Sequence, residues 1–375
     1  MSTGPVVLVA LVVLPLVIEG GTLWPWAPRT PQLDVMRWVA GELVSGRAPL
    51  GDDQRVDYPW TPFGALLMAP LALLTPVLWQ LLLTALSASA VQSLLRRLFG
   101  LTGLRLVVAG CLAVLLIEPV RMALGVGQVS VLLVWVVVVD LVVPHPHADM
   151  ALRRRVLPQG TLTGVVAAIA LPVLWVPLAM LSAGRRRVAL TTFGAAAACL
   201  VVGWMVARGQ SEAMLEPAGA LPSNWLQVDN QSLVAALVRV GSPAQLAQVF
   251  AVVVAVVAAW AAARWWGHDP VLGLGLALTA ALAPQDPGWT WGMTGTLVVA
   301  AGLWTARAKV HPWVLTTGAT WVLWTWVGLP QVLLAGVPAD GSGAAAQLLS
   351  GVGAVLLVAF VVCSAVFVPT RSTTR

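Results

Sequence analysis

Five carboxylates, Asp34, Glu42, Asp52, Asp53 and Asp57, fall within residues 29–62, a third of the fifteen acidic residues in the chain. The stretch ends in Tyr58-Pro-Trp-Thr-Pro, directly before an apolar run resumes. Carboxylates beside an apolar wall suit binding or proton abstraction, because a positioned Asp can take a proton from a reacting hydroxyl. The adjacent Asp52 and Asp53 are the one pair that suggests a divalent cation, although two neighbouring loop acids are more often simply solvated. Further polar residues punctuate later apolar runs: Glu118-Pro119 with Arg121, Gln128, Asn230, Arg239, Asp286 and Trp289. Guanidinium groups bind phosphate in bidentate fashion, though Arg121 and Arg239 also fit long side chains snorkelling from a membrane surface. Tryptophan faces stack on sugar rings, and they also anchor helices in the interfacial belt.

The elements that must position these residues follow from composition. Of 375 residues, 59% are hydrophobic and 10% charged, against about 25% charged in soluble domains. Apolar runs of about 20 residues in lipid satisfy their backbone hydrogen bonds as helices. The expected fold is therefore all-α: a single polytopic integral-membrane domain over residues 1–375. The formal charge of +6 comes from short arginine clusters between apolar runs, at 96–97, 153–155, 185–187, 264 and 307–309. That distribution matches the positive-inside rule rather than a nucleic-acid face, so no nucleic-acid partner is expected. Cys111, Cys199 and Cys363 lie in apolar runs and form neither a disulfide framework nor a metal set. His145-Pro-His147 lacks a third ligand, and no cofactor is implied.

Taken in order, residues 4–24 read as a retained first span without a basic n-region. A first outside loop covers 27–62, in which apolar spacings of three and four over 33–45 predict an amphipathic surface helix. An interfacial helix at 63–75 breaks at Pro76, span two runs to Arg96-Arg97, span three covers 104–117, and span four covers 128–140. Residues 160–183 are an apolar run between two arginine triplets. With both triplets inside, this run enters and returns, broken at Leu171-Pro172. Non-helical backbone at membrane depth is tolerated where it lines a cavity, so this re-entrant pair is expected to wall a site. A span at 188–206 leads to a second outside loop over 208–243, and further spans end near 264, 283, 307, 328 and 368. The total is about ten full transmembrane helices plus the broken pair, with both termini cytoplasmic and the loop chemistry on the extracytoplasmic face.

The series of outside motifs resembles glycosyltransferase family 87, the polyprenyl-phosphate-mannose-dependent α-mannosyltransferases with a C-type glycosyltransferase fold. Its carriers are Asp34-Val-Met-Arg-Trp38 with Gly46-Arg-Ala-Pro-Leu50, then Tyr58-Pro-Trp-Thr-Pro-Phe-Gly-Ala-Leu-Leu leading to Ala69-Pro-Leu-Ala-Leu-Leu. Glu118-Pro119 with Gly127-Gln128-Val-Ser follows, and lastly Asn230-Gln-Ser-Leu with Arg239. The resemblance implies a polyprenyl-phosphate sugar donor, a lipid or glycan acceptor, and inverting displacement with Asp34 as catalytic base. It places Tyr58, Arg121, Gln128, Asn230, Arg239, Asp286 and Trp289 at the substrates. Apart from the resemblance, Asp34 is equally at home capping or solvating the surface helix.

Two departures stand out. Where the family carries a lysine before the proline of the broken pair, this chain has Ala170 and Leu171, and its loop at 283–291 has no histidine. All four histidines, His145, His147, His268 and His311, fall on the expected cytoplasmic side. A non-catalytic relative that binds lipid-linked sugar or a partner transferase is the alternative these departures favour. A transporter is a third reading, against which stand the lack of paired charges within spans and of a two-fold repeat.

Overall fold

The computed structural model describes residues 31–45, 61–143, 157–208, 230, 232–282, 294–328 and 344–369. Among the described residues every regular element is a helix, as the apolar composition demands. The chain divides into two compact units, Met1–Leu171 with Leu190–Ala220, and Pro172–Ala189 with Leu221–Arg375.

The first unit begins with α1 (Pro31–Val44), the helix expected from the apolar spacing over 33–45. Its Met36, Val39 and Ala40 are buried. Next come α2 (Pro62–Met68), a 3-10 turn over Ala69–Leu73, and α3 (Pro76–Phe99). Both α2 and α3 start with Thr-Pro. The threonine hydroxyl accepts from a backbone N–H, Thr61 from Gly64 and Thr75 from Leu78, each at 3.3 Å. Proline at the first helical position needs no donor partner there. The break expected at Pro76 is thus a helix start capped by Thr75.

After α4 (Gly103–Leu116) the structure departs from expectation: residues read as a polar connection form α5 (Glu118–Val126). Extended Ile117 separates the two helices, and Pro119 at the start of α5 presets a helical φ. α6 (Ser130–Leu141) follows. At 1.5 Å per residue, the 14 residues of α4 and 12 of α6 extend roughly 21 and 18 Å. Each alone is shorter than a hydrocarbon core of about 30 Å.

Charge placement also departs from the sequence reading. Arg97, assigned to a surface cluster, is buried and donates to the carbonyls of Val139 (3.0 Å) and Val142 (3.1 and 2.8 Å), closing the C-terminal end of α6. Asp140 is buried at the same end. It accepts from Gly160 N (3.1 Å), Thr163 N (2.9 Å) and Thr163 Oγ1 (2.7 Å), capping α7 (Thr161–Ile169). Arginine at a helix C-terminus and carboxylate at a helix N-terminus both complement the backbone dipoles.

The long apolar run at 160–183 breaks where its proline predicts. α7 stops at Ile169, a 3-10 turn covers Leu171–Leu174, and α8 (Trp175–Ser182) follows. The chain then forms α9 (Arg186–Val206). In the second unit, α10 (Leu233–Arg239), α11 (Ala244–Trp265) and α12 (Pro270–Leu282) precede α13 (Thr296–Ala306), α14 (Pro312–Val327) and α15 (Ala344–Val366). α11 is the hub of this unit, packing against α8, α10, α12 and α15. Its small face (Ala247, Ala251, Ala255, Ala258 and Ala262, all buried) lets those neighbours approach closely.

Two described helices, α9 and α11, are by themselves long and apolar enough to cross a membrane; several shorter apolar helices accompany them. The expected span at 4–24 lies outside the described residues.

Candidate functional site

In the first unit, Arg121 lies on α5 and Gln128 just after it, and the helix that carries Asp34 touches α5. Asp34 sits in the opening turns of α1. That helix is held against the 3-10 turn, where Arg37 Nη2 donates to the Leu74 carbonyl at 3.1 Å, and it also touches α5. The helix bearing the expected base therefore abuts the helix bearing Glu118 and Arg121.

Glu118 is 2% exposed at the first position of α5, where the positive end of the helix dipole favours a carboxylate. Arg121 Nη2 lies 3.8 Å from Glu118 Oε1. Partial burial lowers the Arg121 pKa while Glu118 opposes that shift; guanidinium stays protonated throughout. α5 ends at Gly127 with a φ of 79°, a left-handed cap that suits glycine. The Gln128 amide then donates to Ala123 O at 2.7 Å. This sharp turn drives Gln128 and Ser130 inward, 5% and 1% exposed. Gln128 Oε1 and Ser130 Oγ have no hydrogen-bond partner among the described residues. Buried polar atoms are nearly always satisfied, and an unsatisfied one costs about 1–3 kcal/mol. Such atoms mark a place where a polar ligand could dock. Ser130 was visible in sequence within the Gly127-Gln128-Val-Ser motif, but its side chain could not be placed there without the left-handed turn.

A second feature of this unit was not foreseen. The Tyr-Pro-Trp-Thr-Pro motif is tied to the broken helix by Thr61, whose N–H donates to Ile169 O (3.1 Å) and whose hydroxyl donates to Ala168 O. The position expected to carry a lysine adjoins this contact: Ala170 is buried and Leu171 is half exposed. Close approach reinforces the clamp, since a Cβ on Gly203 of α9 would meet Phe63 N at 2.7 Å and Phe63 Cα at 2.9 Å.

In the second unit, Asn230 is 1% exposed and its Oδ1 accepts from Ser232 N at 2.9 Å. Ser232 Oγ in turn accepts from Ala235 N at 3.2 Å, capping α10. Asn230 and Ser232 therefore build a helix start. Arg239 is half-buried in the last turn of α10. Tyr58, Asp286, Trp289 and the Asp52/Asp53 pair lie outside the described residues. No group of three or more His, Cys, Asp or Glu side chains suited to a metal occurs among the described residues.

The described residues thus form apolar helices with a buried polar turn beside the helix that carries Asp34. The model of glycosyltransferase family 87 matches residues 58–284, more than half of the chain, and the protein belongs to that family. The matched residues include Tyr58, α5, the Gln128 turn, the broken helix, Asn230 and Arg239; Asp34, Asp286 and Trp289 fall outside them. No curated protein and no solved structure matches the chain.

Proposed function

We propose that this family member is a multi-pass glycosyltransferase of the cytoplasmic membrane, a single integral-membrane domain over residues 1–375. It moves mannose or a similar hexose from a polyprenyl phosphate to a lipid or glycan acceptor on the extracytoplasmic face. The reading rests on the family membership and, in the structure, on one observation above the others. α1, which carries Asp34, packs against α5, whose end turns Gln128 and Ser130 inward with Gln128 Oε1 and Ser130 Oγ lacking partners among the described residues.

In this mechanism the acceptor hydroxyl oxygen attacks the anomeric carbon as its proton passes to the Asp34 carboxylate. The bond from the anomeric carbon to the phosphate oxygen breaks with inversion, and the electron pair leaves on polyprenyl phosphate. Arg121 offsets the charge that grows on the departing phosphate, a task suited to a permanently charged guanidinium. Gln128 and Ser130 supply hydrogen bonds to sugar hydroxyls. The family resemblance gives Tyr58, Asn230, Arg239, Asp286 and Trp289 substrate-binding roles in this reading.

The deciding experiment is transfer of radiolabelled mannose from polyprenyl-phosphate-mannose in membranes containing wild type or Asp34→Asn. Product with wild type and none with the variant supports the proposal. Undiminished transfer by Asp34→Asn removes the base assignment. The uncharged, buried Ala170 at the position of the family's lysine favours a second reading, a non-catalytic relative. Donor binding by wild type with no product would select it.

A further inference from the structure

One end of the second unit carries a feature the proposed transfer does not use. An open cleft of about 400 Å³ is lined by Ser182, Ala183, Trp260, Arg264, His268 and Pro369 among others. Arg264 stands 4.9 Å from the Trp260 ring centroid, and its Nη1 donates to Ala365 O at 3.1 Å. Several contacts bring further basic and aromatic groups to this end. Arg185 lies over Trp266 at 5.7 Å, Arg307 over Trp304 at 4.2 Å, and His311 stacks on Phe367 at 4.1 Å. Asp269 at the α11–α12 turn is spent on capping: Oδ1 accepts from Val271 N and Leu272 N, and Oδ2 accepts from Thr305 Oγ1, each at 2.9 Å. That last bond brings the C-terminal end of α13 to the same place.

The cleft opens onto a particular surface of α11. Leu246, Val249, Phe250, Val253, Val256 and Trp260 are each at least 44% exposed. Their spacing of three and four residues puts them on one face, and Arg264 continues that face four residues beyond Trp260. An exposed apolar stripe ending in an aromatic ring and a cation has the polarity of a phospholipid, acyl chain first and headgroup last. A leaflet hydrocarbon thickness of about 15 Å corresponds to roughly ten helical residues, the distance from Arg264 back to the middle of the stripe. Trp304 and Trp313, 58% and 60% exposed, add the interfacial aromatics that accompany such a boundary.

We infer that this cleft is a binding site for an anionic phospholipid of the cytoplasmic leaflet, its phosphate held by Arg264 with His268 and its acyl chain lying along the Leu246–Trp260 stripe. The site rests on the membrane reading above and is independent of the sugar-transfer site. Basic clusters at a cytoplasmic surface select anionic headgroups, and arginine grips a phosphate diester through two parallel N–H donors.

The test places the full chain in phosphatidylcholine nanodiscs doped with phosphatidylglycerol and reads co-purifying lipid by native mass spectrometry. Wild type is expected to retain phosphatidylglycerol at least fivefold over its share of the bilayer. Arg264→Gln and His268→Asn are each expected to bring retention down to that share. Equal retention of both lipids by wild type would overturn the site, and that readout needs no variant to fold. Release of the bound lipid by millimolar inorganic phosphate would also overturn it, showing an ion site. Failure of the chain to enter phosphatidylcholine nanodiscs would instead strike the membrane reading itself.

Discussion

The hydroxyl of Thr61 donates to the carbonyl of Ala168, across 107 residues of sequence. Ala168 precedes Pro172 by four residues, and proline has no N–H to complete the helical bond to that carbonyl. The neighbouring Ile169 carbonyl accepts from the Thr61 amide at 3.1 Å. Thr61 thus takes over two acceptors at a break the sequence itself creates, and in doing so holds the end of the Tyr-Pro-Trp-Thr-Pro motif there. The same hydroxyl oxygen accepts from Gly64 N and starts α2.

Thr61→Val is therefore expected to leave Ala168 O unsatisfied and α2 uncapped. An unmet buried acceptor costs about 1–3 kcal/mol and a lost cap about 1 kcal/mol. Thr61→Ser keeps the hydroxyl and should stay close to wild type. Thermal unfolding of the two variants in the same detergent checks the pair. Equal midpoints for Val and Ser would mean that the hydroxyl contributes nothing.

Gly203 supports the same clamp by absence. A Cβ there would lie 2.7 Å from Phe63 N and 2.8 Å from Phe63 Cβ, and backbone atoms cannot swing aside as the end of a side chain does. Gly203→Ala is expected to destabilise by about 1–3 kcal/mol through overpacking. Gly194→Ala on the same helix meets nothing within 4 Å and should gain up to about 1 kcal/mol from helix propensity. Opposite shifts in melting temperature check both at once; a shared sign would show that the Phe63 approach is not limiting.

Arg97 answers a different question, whether a clustered arginine is surface charge or structure. It is 4% exposed and makes three hydrogen bonds to Val139 and Val142 carbonyls. Arg97→Gln is expected to lose about 2–4 kcal/mol of stability, because hydrogen bonds from a charged donor contribute more than neutral ones and the α6 carbonyls are stranded. Arg185→Gln removes a ring-stacked, exposed cation and should cost under about 1 kcal/mol. Urea or thermal denaturation compares the two. Similar losses would return Arg97 to the surface class.

The break at Leu171-Pro172, the Thr75-Pro76 helix start and the amphipathic α1 were legible because proline geometry and helical spacing are local rules. In sequence Glu118–Val126 reads as a connection, because short helices depend on what they pack against, and the packing of α5 on α1, α3, α4 and α6 has no local signal. Arg97 reads as surface charge for the same reason: the carbonyls it serves lie 42 and 45 residues away. At the candidate site, the Glu118-Pro119 and Gly127-Gln128-Val-Ser motifs were visible as residues. The burial of Gln128 and Ser130 depends on the left-handed Gly127 turn, which has no signal in the residue types alone.

That turn yields the sharpest expectation about catalysis. Gln128 Oε1 is buried and lacks a hydrogen-bond partner among the described residues. Removing the polarity of a group that only packs costs no activity, whereas removing that of a group kept for substrate relieves the fold at the expense of transfer. Gln128→Met has similar length and no amide, so it should leave stability unchanged or raise it by up to about 1–2 kcal/mol, the relief of an unsatisfied buried acceptor. Sugar transfer should fall by about tenfold or more, equivalent to roughly 1.4 kcal/mol of lost transition-state binding. Ser130→Ala, which removes a second orphaned oxygen, is expected to move stability and transfer in the same two directions. Melting temperature and transfer rate measured on one preparation decide the matter. A stabilised variant with full activity would take Gln128 out of the substrate site, and a destabilised one would mean that its amide serves the fold.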